Sequence, residues 1–88
     1  MTNAALEKII VELTTRTLAL RTICTMLLGT YARSTSDPDA ALREIFSGLD
    51  TQLDSVDVSD NERLIAAERM RAEYDWIDHA TRVVLGIP

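Results

Sequence analysis

Residues 4–31 read AALEKIIVELTTRTLALRTICTMLLGTY and predict one long helix. Apolar and small side chains recur along it at alternating spacings of four and three residues, the a/d pattern of a helix that packs along one seam. Ile9 and Leu28 widen this seam into an ordinary core-facing stripe, so the pattern predicts that it faces the core of the domain. We call this set the heptad seam; its members are Leu6, Ile10, Leu13, Thr17, Leu20, Cys24, Leu27 and Tyr31.

The same helix carries a second apolar column on another side. Val11, Leu18 and Thr25 follow one another at seven-residue intervals, where a one-sided surface helix would carry charge. No charged residue occurs from Thr22 to Ala32. The pattern therefore predicts that helix 1 is buried on two sides. The alternative is that these small and β-branched residues are tolerated on a solvated face.

The rest of the chain predicts two more helices, which makes the fold class all-α: a three-helix antiparallel bundle with long first and third helices in a single domain, residues 1–88. Asp37 and Pro38 are typical of the start of helix 2. Ser59 and Glu62 have the spacing of a capping box for helix 3, and Gly86 is typical of its end. The predicted bounds are about 3–32, 38–55 and 60–85.

Helix 2 has one apolar stripe, whereas helix 3 has two. The stripe predicted to face the core comprises Ala67, Met70, Tyr74, Ile77, Thr81, Val84 and Leu85. A lone three-helix bundle buries only one stripe per helix, so the extra stripes of helices 1 and 3 predict a homodimer that meets through them. The predicted self-association residues are Val11, Leu18, Thr25, Ile65, Ala72, Trp76 and Val83. The alternative is a monomer in which Trp76 covers the end of the core.

Composition excludes several classes of partner. The 88 residues include 14 acidic and 9 basic side chains, a net charge of −5, which disfavours binding to nucleic acid or to anionic membranes. The uncharged run in helix 1 is too short to span a bilayer, which takes about 20 residues. The single Cys24 allows no disulfide within the chain, and we expect a cytoplasmic protein.

An acidic cluster follows helix 2 and suggests a patch for a basic protein partner. Its members are Asp50, Asp54, Asp57, Asp60 and Glu62. The alternative is an ordinary solvated face. The cluster lacks the internal glycine of an EF-hand loop, so we predict no metal site and no cofactor.

Two functional hypotheses remain from the sequence. The favoured one is a protein–protein interaction or scaffold module that self-associates. The other is a small helical-bundle enzyme or ligand-binding protein whose site lies at the dimer interface, where Arg16, Arg21, Arg71 and His79 would converge. The three glycines stand far apart and form no phosphate loop, and the sequence predicts no catalytic residue.

Overall fold

The computed structural model describes residues 2–88, and within them the chain forms three α-helices and no strand. They are α1 (Asn3–Arg33), α2 (Pro38–Asp54) and α3 (Asn61–Leu85). Each observed bound lies within one residue of the predicted one. The most extensive contact is between α1 and α3, and α2 packs on both. The predicted all-α, three-helix fold is confirmed.

Local sequence signals account for most helix ends. The hydroxyl of Thr2 accepts a hydrogen bond from the backbone N–H three residues on, at 3.1 Å, and the carboxylate of Asp37 does the same at the start of α2. Pro38 occupies the first turn of α2, where its missing N–H costs nothing. Gly86 ends α3 in the left-handed conformation, with φ of 71°, which glycine adopts without strain.

The start of α3 differs from the prediction. Asp60, not Ser59, is the N-cap, and its Oδ1 accepts a hydrogen bond from the Arg63 N–H at 2.8 Å. The N–H of Ser59 instead donates to Oδ1 of Asp57 at 2.9 Å, which holds Ser59 in the preceding turn. The predicted capping box of Ser59 and Glu62 is therefore wrong. Serine and aspartate cap almost equally well, so the preceding turn decides which of the two neighbours serves.

The hydrophobic core cluster lies at one end of the molecule, and Leu53 of α2 and Ala67 of α3 are buried outside it. Ala32, Leu42 and Phe46 form its centre, where the end of α1 meets the first half of α2. Side chains from all three helices and from the chain after α3 surround it: Leu28, Ile45, Leu49, Tyr74, Ile77, Leu85 and Ile87. We call this region the closed end.

The other end is dominated by the first half of α1, which extends away from the core. Every residue from 3 to 20, a segment we call the α1 arm, is exposed. The molecule is consequently elongated, with a longest extent of 53 Å and a radius of gyration of 16.0 Å. A compact chain of this length would have a radius of gyration of about 12 Å.

The heptad seam does not face the core of its own chain, contrary to prediction. Leu13 is 57% exposed and Leu27 66% exposed, whereas the buried residues of α1 are Thr25, Gly29 and Ala32. These three buried residues lie about a third of a turn from the seam. Of the second apolar column only Thr25 is buried, whereas Val11 and Leu18 are exposed.

The predicted core stripe of α3 is correct in part. Met70 and Val84 are exposed, because they lie where no other helix of the chain covers them. The remaining members are buried or half-buried: Ala67, Tyr74, Ile77, Thr81 and Leu85.

Candidate interaction surface

Large apolar side chains are exposed along much of α1 and α3. Among residues 2–88, five hydrophobic residues are buried, and two of those are alanines. The exposed large apolar residues are Leu6, Ile9, Ile10, Val11, Leu13, Leu18, Leu20, Ile23, Met26, Leu27, Tyr31, Val56, Val58, Leu64, Ile65, Met70, Trp76, Val83 and Val84. Large exposed apolar surfaces are typical of interaction sites in native proteins.

The accessible area gives the size of this surface. The chain exposes 6652 Å². A compact protein of 9.8 kDa exposes about 5,200 Å², so the excess is about 1,500 Å². A standard protein–protein interface buries about 800 Å² on each partner. The excess area is therefore sufficient for a stable interface.

A groove of about 390 Å³ runs between α1 and α3 at the base of the α1 arm. One wall comprises the seam residues Thr17, Leu20 and Cys24, and the other includes Met70 and Ile77 of α3. The lining is mainly apolar. The groove thus joins the heptad seam to the exposed part of the predicted α3 core stripe. The sequence does not indicate it, because both sets of residues have the periodicity of core-facing stripes.

A charged pair within the lining of this groove, Arg21 and Glu73, links the base of the arm to α3. Nε and Nη2 of Arg21 donate to the two carboxylate oxygens of Glu73 at 2.5 and 2.7 Å. The guanidinium also lies 4.5 Å from the centre of the Trp76 ring, a cation–π geometry. The hydrogen bond from Arg21 lowers the pKa of Glu73 below its ordinary value, although desolvation opposes the shift. The planar guanidinium therefore fixes the position of α1 against α3 at this level.

The predicted self-association residues are mostly available at the surface. Val11 and Leu18 lie on the α1 arm and are exposed. The α3 members are exposed as well: Ile65, Ala72, Trp76 and Val83. Thr25 is the exception, because it is only 9% exposed and packs within its own chain. We therefore leave Thr25 out of the candidate surface.

The acidic cluster is partly neutralised by arginines of the same chain. Asp54 accepts a hydrogen bond from Arg71 at 2.7 Å. Asp57 and Asp60 both pair with Arg63 at 3.2 Å. Asp60 and Arg63 lie three residues apart at the start of a helix, a spacing that by itself favours their ion pair.

The remaining members of the cluster are Asp50, which is half-buried, and Glu62, which is exposed. Exposed ion pairs contribute little to stability, but they do reduce the negative field that a basic partner would meet.

The residues of the enzyme hypothesis do not share a cavity within one chain. Arg16 pairs with Glu12 on the exposed arm, while Arg21 and Arg71 line different cavities and are each engaged by a carboxylate. His79 is exposed on α3. Among residues 2–88, no group of three or more histidine, cysteine or acidic side chains is arranged to hold a metal ion.

A second charged cluster lies at the closed end and was not predicted. Arg82 of α3 donates to Asp39 at the start of α2 at 2.5 Å, to Asp78 at 2.8 Å and to the carbonyl of Pro88 at 2.8 Å. The hydrogen bond from Arg82 lowers the pKa of Asp39, with a further contribution from Arg43. These contacts join the end of α3 to the start of α2. None of them involves the α1 arm.

Comparisons of the chain with protein families, with curated proteins and with solved structures found no match. Over the part of the chain that the structure describes, no helix combines the length and the apolar character needed to cross a membrane.

Proposed function

We propose that this protein is a small helical protein–protein interaction module that self-associates as a homodimer through the exposed apolar faces of α1 and α3. The observation that carries the proposal is the α1 arm, a helical segment with large apolar side chains and no packing partner in its own chain. Most helical stability in proteins comes from packing an apolar face against a partner surface. The exposed apolar side chains of the arm favour such a partner.

A second copy is the partner that the surface area favours. If each copy covers its excess of about 1,500 Å², the dimer buries about 3,000 Å² in total, within the range of about 2,000–5,000 Å² for obligate homodimers. A twofold dimer is the commonest assembly, and it covers the same surface on both copies at once. The surface comprises the heptad seam together with Val11, Leu18, Ile65, Ala72, Trp76 and Val83.

The other hypotheses gain no specific support. A basic partner at the acidic cluster of Asp50, Asp54, Asp57, Asp60 and Glu62 remains a hypothesis, and such binding would weaken with added salt. A ligand site at the dimer interface would need Arg16, Arg21, Arg71 and His79 to meet across two copies. A cytoplasmic location and the absence of nucleic-acid and membrane partners also remain predictions.

The proposal is tested by the molar mass in solution, measured by multi-angle light scattering over a wide range of protein concentration. We expect a mass near twice 9.8 kDa at micromolar concentration. A mass of one chain at every concentration would overturn the proposal.

A further inference from the structure

We infer that the α1 arm of a second copy lies antiparallel to α1 in the groove between α1 and α3, so that each copy fills the groove of the other. The inference rests on the proposed homodimer and adds its geometry. The partner is a second copy of this chain, and the contact surface is the heptad seam with Met70 and Ile77 beside it.

The spacing of the heptad seam fits an antiparallel pair of α1 helices. When two copies of α1 run in opposite directions, every a position of one seam faces a d position of the other. This is the layer pattern of antiparallel helix packing. Four pairs and their symmetry mates then use all eight residues: Leu6 with the partner's Tyr31, Ile10 with the partner's Leu27, Leu13 with the partner's Cys24, and Thr17 with the partner's Leu20.

The exposure of α1 agrees with this arrangement. The N-terminal half of the seam lies on the bare α1 arm, and the C-terminal half includes Leu27 and Tyr31, which are exposed although they belong to the packed part of α1. Antiparallel pairing places the N-terminal half of each seam, which lies on the α1 arm, against the exposed C-terminal half of the partner's seam. Both halves lose water in the same contact, and the two contacts are identical by symmetry.

The groove explains why the chains are antiparallel rather than parallel. In a parallel pair, the groove beside Leu20 and Cys24 would receive the same level of the partner's α1, which already has α3 packed against it. In the antiparallel pair it receives the arm near the partner's Leu13, where no other helix of the partner covers the seam. Met70 and Ile77 then contact the arm from the α3 side.

Cysteine pairing tests this register. Leu13→Cys adds a thiol that the antiparallel register places against the native Cys24 of the other copy. The two residues of one chain lie about 16 Å apart along α1, well beyond the span of a disulfide of about 4.4–6.8 Å between Cα atoms, so any bond must join two copies. Oxidation is followed on a non-reducing gel, and a band near twice 9.8 kDa is expected.

Thr15→Cys is the matched control, because Thr15 is also exposed on the arm but lies on the side of α1 opposite the seam. We expect L13C to cross-link faster than T15C by roughly tenfold or more, because pairing raises the local concentration of the two thiols. L13C combined with Cys24→Ala should not cross-link. A second pair, Ile10→Cys with Leu27→Cys in the Cys24→Ala background, tests the same register if L13C fails to fold.

The outcomes separate the inference from the proposed function. A wild-type chain that is dimeric by mass but forms a Cys24–Cys24 disulfide overturns the antiparallel register and leaves the dimer intact. A dimeric chain in which neither designed pair cross-links faster than T15C has the same consequence. A monomeric wild-type chain overturns both.

Discussion

The closed end and the α1 arm are built from equally apolar sequence, yet they have opposite environments. At the closed end, Leu42 is completely buried and Phe46 nearly so, with side chains from all three helices around them. On the arm, Leu6, Ile10 and Leu13 occupy regular core-type positions and are about half exposed. The difference lies in the available neighbours, because α2 and α3 cover only the second half of α1.

Under the proposed homodimer the chain encodes two cores, one completed within the chain and one that a second copy would complete. The closed end has buried side chains from all three helices around it and a charged cluster around Arg82 that joins α2 to α3. The α1 arm instead carries exposed seam residues and ends at the groove between α1 and α3. Small chains bury a modest fraction of their surface, and oligomerisation is a common way to gain the remaining stability.

The largest effect is expected from a charge on the seam. Leu13→Asp places a carboxylate in the dimer contact twice, once from each copy, and replaces apolar burial with a desolvated charge. We expect the dissociation constant of the dimer to rise by about a thousandfold or more, equivalent to roughly 4 kcal/mol. Sedimentation velocity over a concentration series measures the change.

Ala19→Asp is the matched control for this variant. Ala19 is exposed on the same arm and lies seven residues from Glu12, on a helix column that already carries charge. We expect A19D to remain dimeric. If both variants dissociate equally, or neither does, the seam is not the contact and the arm has another role.

Loss of packing at the closed end should also be costly. Leu42→Ala removes a completely buried side chain from the centre of the core, and such changes cost about 2–5 kcal/mol. Met26→Ala, at an exposed position off the seam, should change the free energy of unfolding by no more than about 0.5 kcal/mol. Urea unfolding followed by circular dichroism measures both. Equal effects would mean that the closed end is not the core.

The predictability of the fold from sequence differs between these same regions. Helix ends were predictable to within a residue because they depend on local chemistry, such as the capping carboxylate of Asp37 and the left-handed Gly86. The face of α1 that meets the core was not predictable, because both columns are apolar. The buried face of α1 carries Thr25, Gly29 and Ala32, and periodicity alone does not distinguish this face from the heptad seam.

The candidate surface was predictable in kind but not in place. The excess of apolar stripes on helices 1 and 3 correctly anticipated exposed apolar faces on both. The a/d pattern of the seam predicts an interior position, but the same pattern occurs whether the partner helix belongs to the same chain or to another. The sequence therefore does not show which of the two applies. The pairing of Arg21 with Glu73 joins residues far apart in sequence, and no local pattern indicates it.

A smaller effect is expected at the junction between the two regions. Glu73→Gln removes the carboxylate that binds Arg21, and it should lower the melting temperature at neutral pH by less than Leu42→Ala does, because both side chains remain partly in water. The exposed Glu44→Gln is a control for the loss of one acidic charge.

The pH dependence of this effect has a definite sign. Arg21 lowers the pKa of Glu73 in the folded protein, so the pair stabilises the fold above the ordinary glutamate pKa of about 4.3. That stability is lost as the pH falls through the lower, folded-state pKa. The melting temperatures of wild type and E73Q should therefore converge at low pH. A difference that stays constant down to low pH would show that the variant acts through packing instead.

The smallest effect concerns the start of α3. Asp60→Ala removes the observed N-cap and should cost about 1 kcal/mol in the free energy of unfolding, whereas Ser59→Ala should cost almost nothing. Chemical denaturation of the two variants side by side provides the comparison. If S59A lowered the free energy of unfolding more than D60A, Ser59 would be the N-cap, as the capping-box spacing suggests.

The most direct test of the two-core account is amide hydrogen exchange of the α1 arm, residues 3–20, measured by mass spectrometry at several protein concentrations. The account predicts slow exchange in the arm at high concentration and loss of that protection on dilution through the dimer dissociation range. Fast exchange in the arm at every concentration, in a sample whose closed end stays protected, would contradict it.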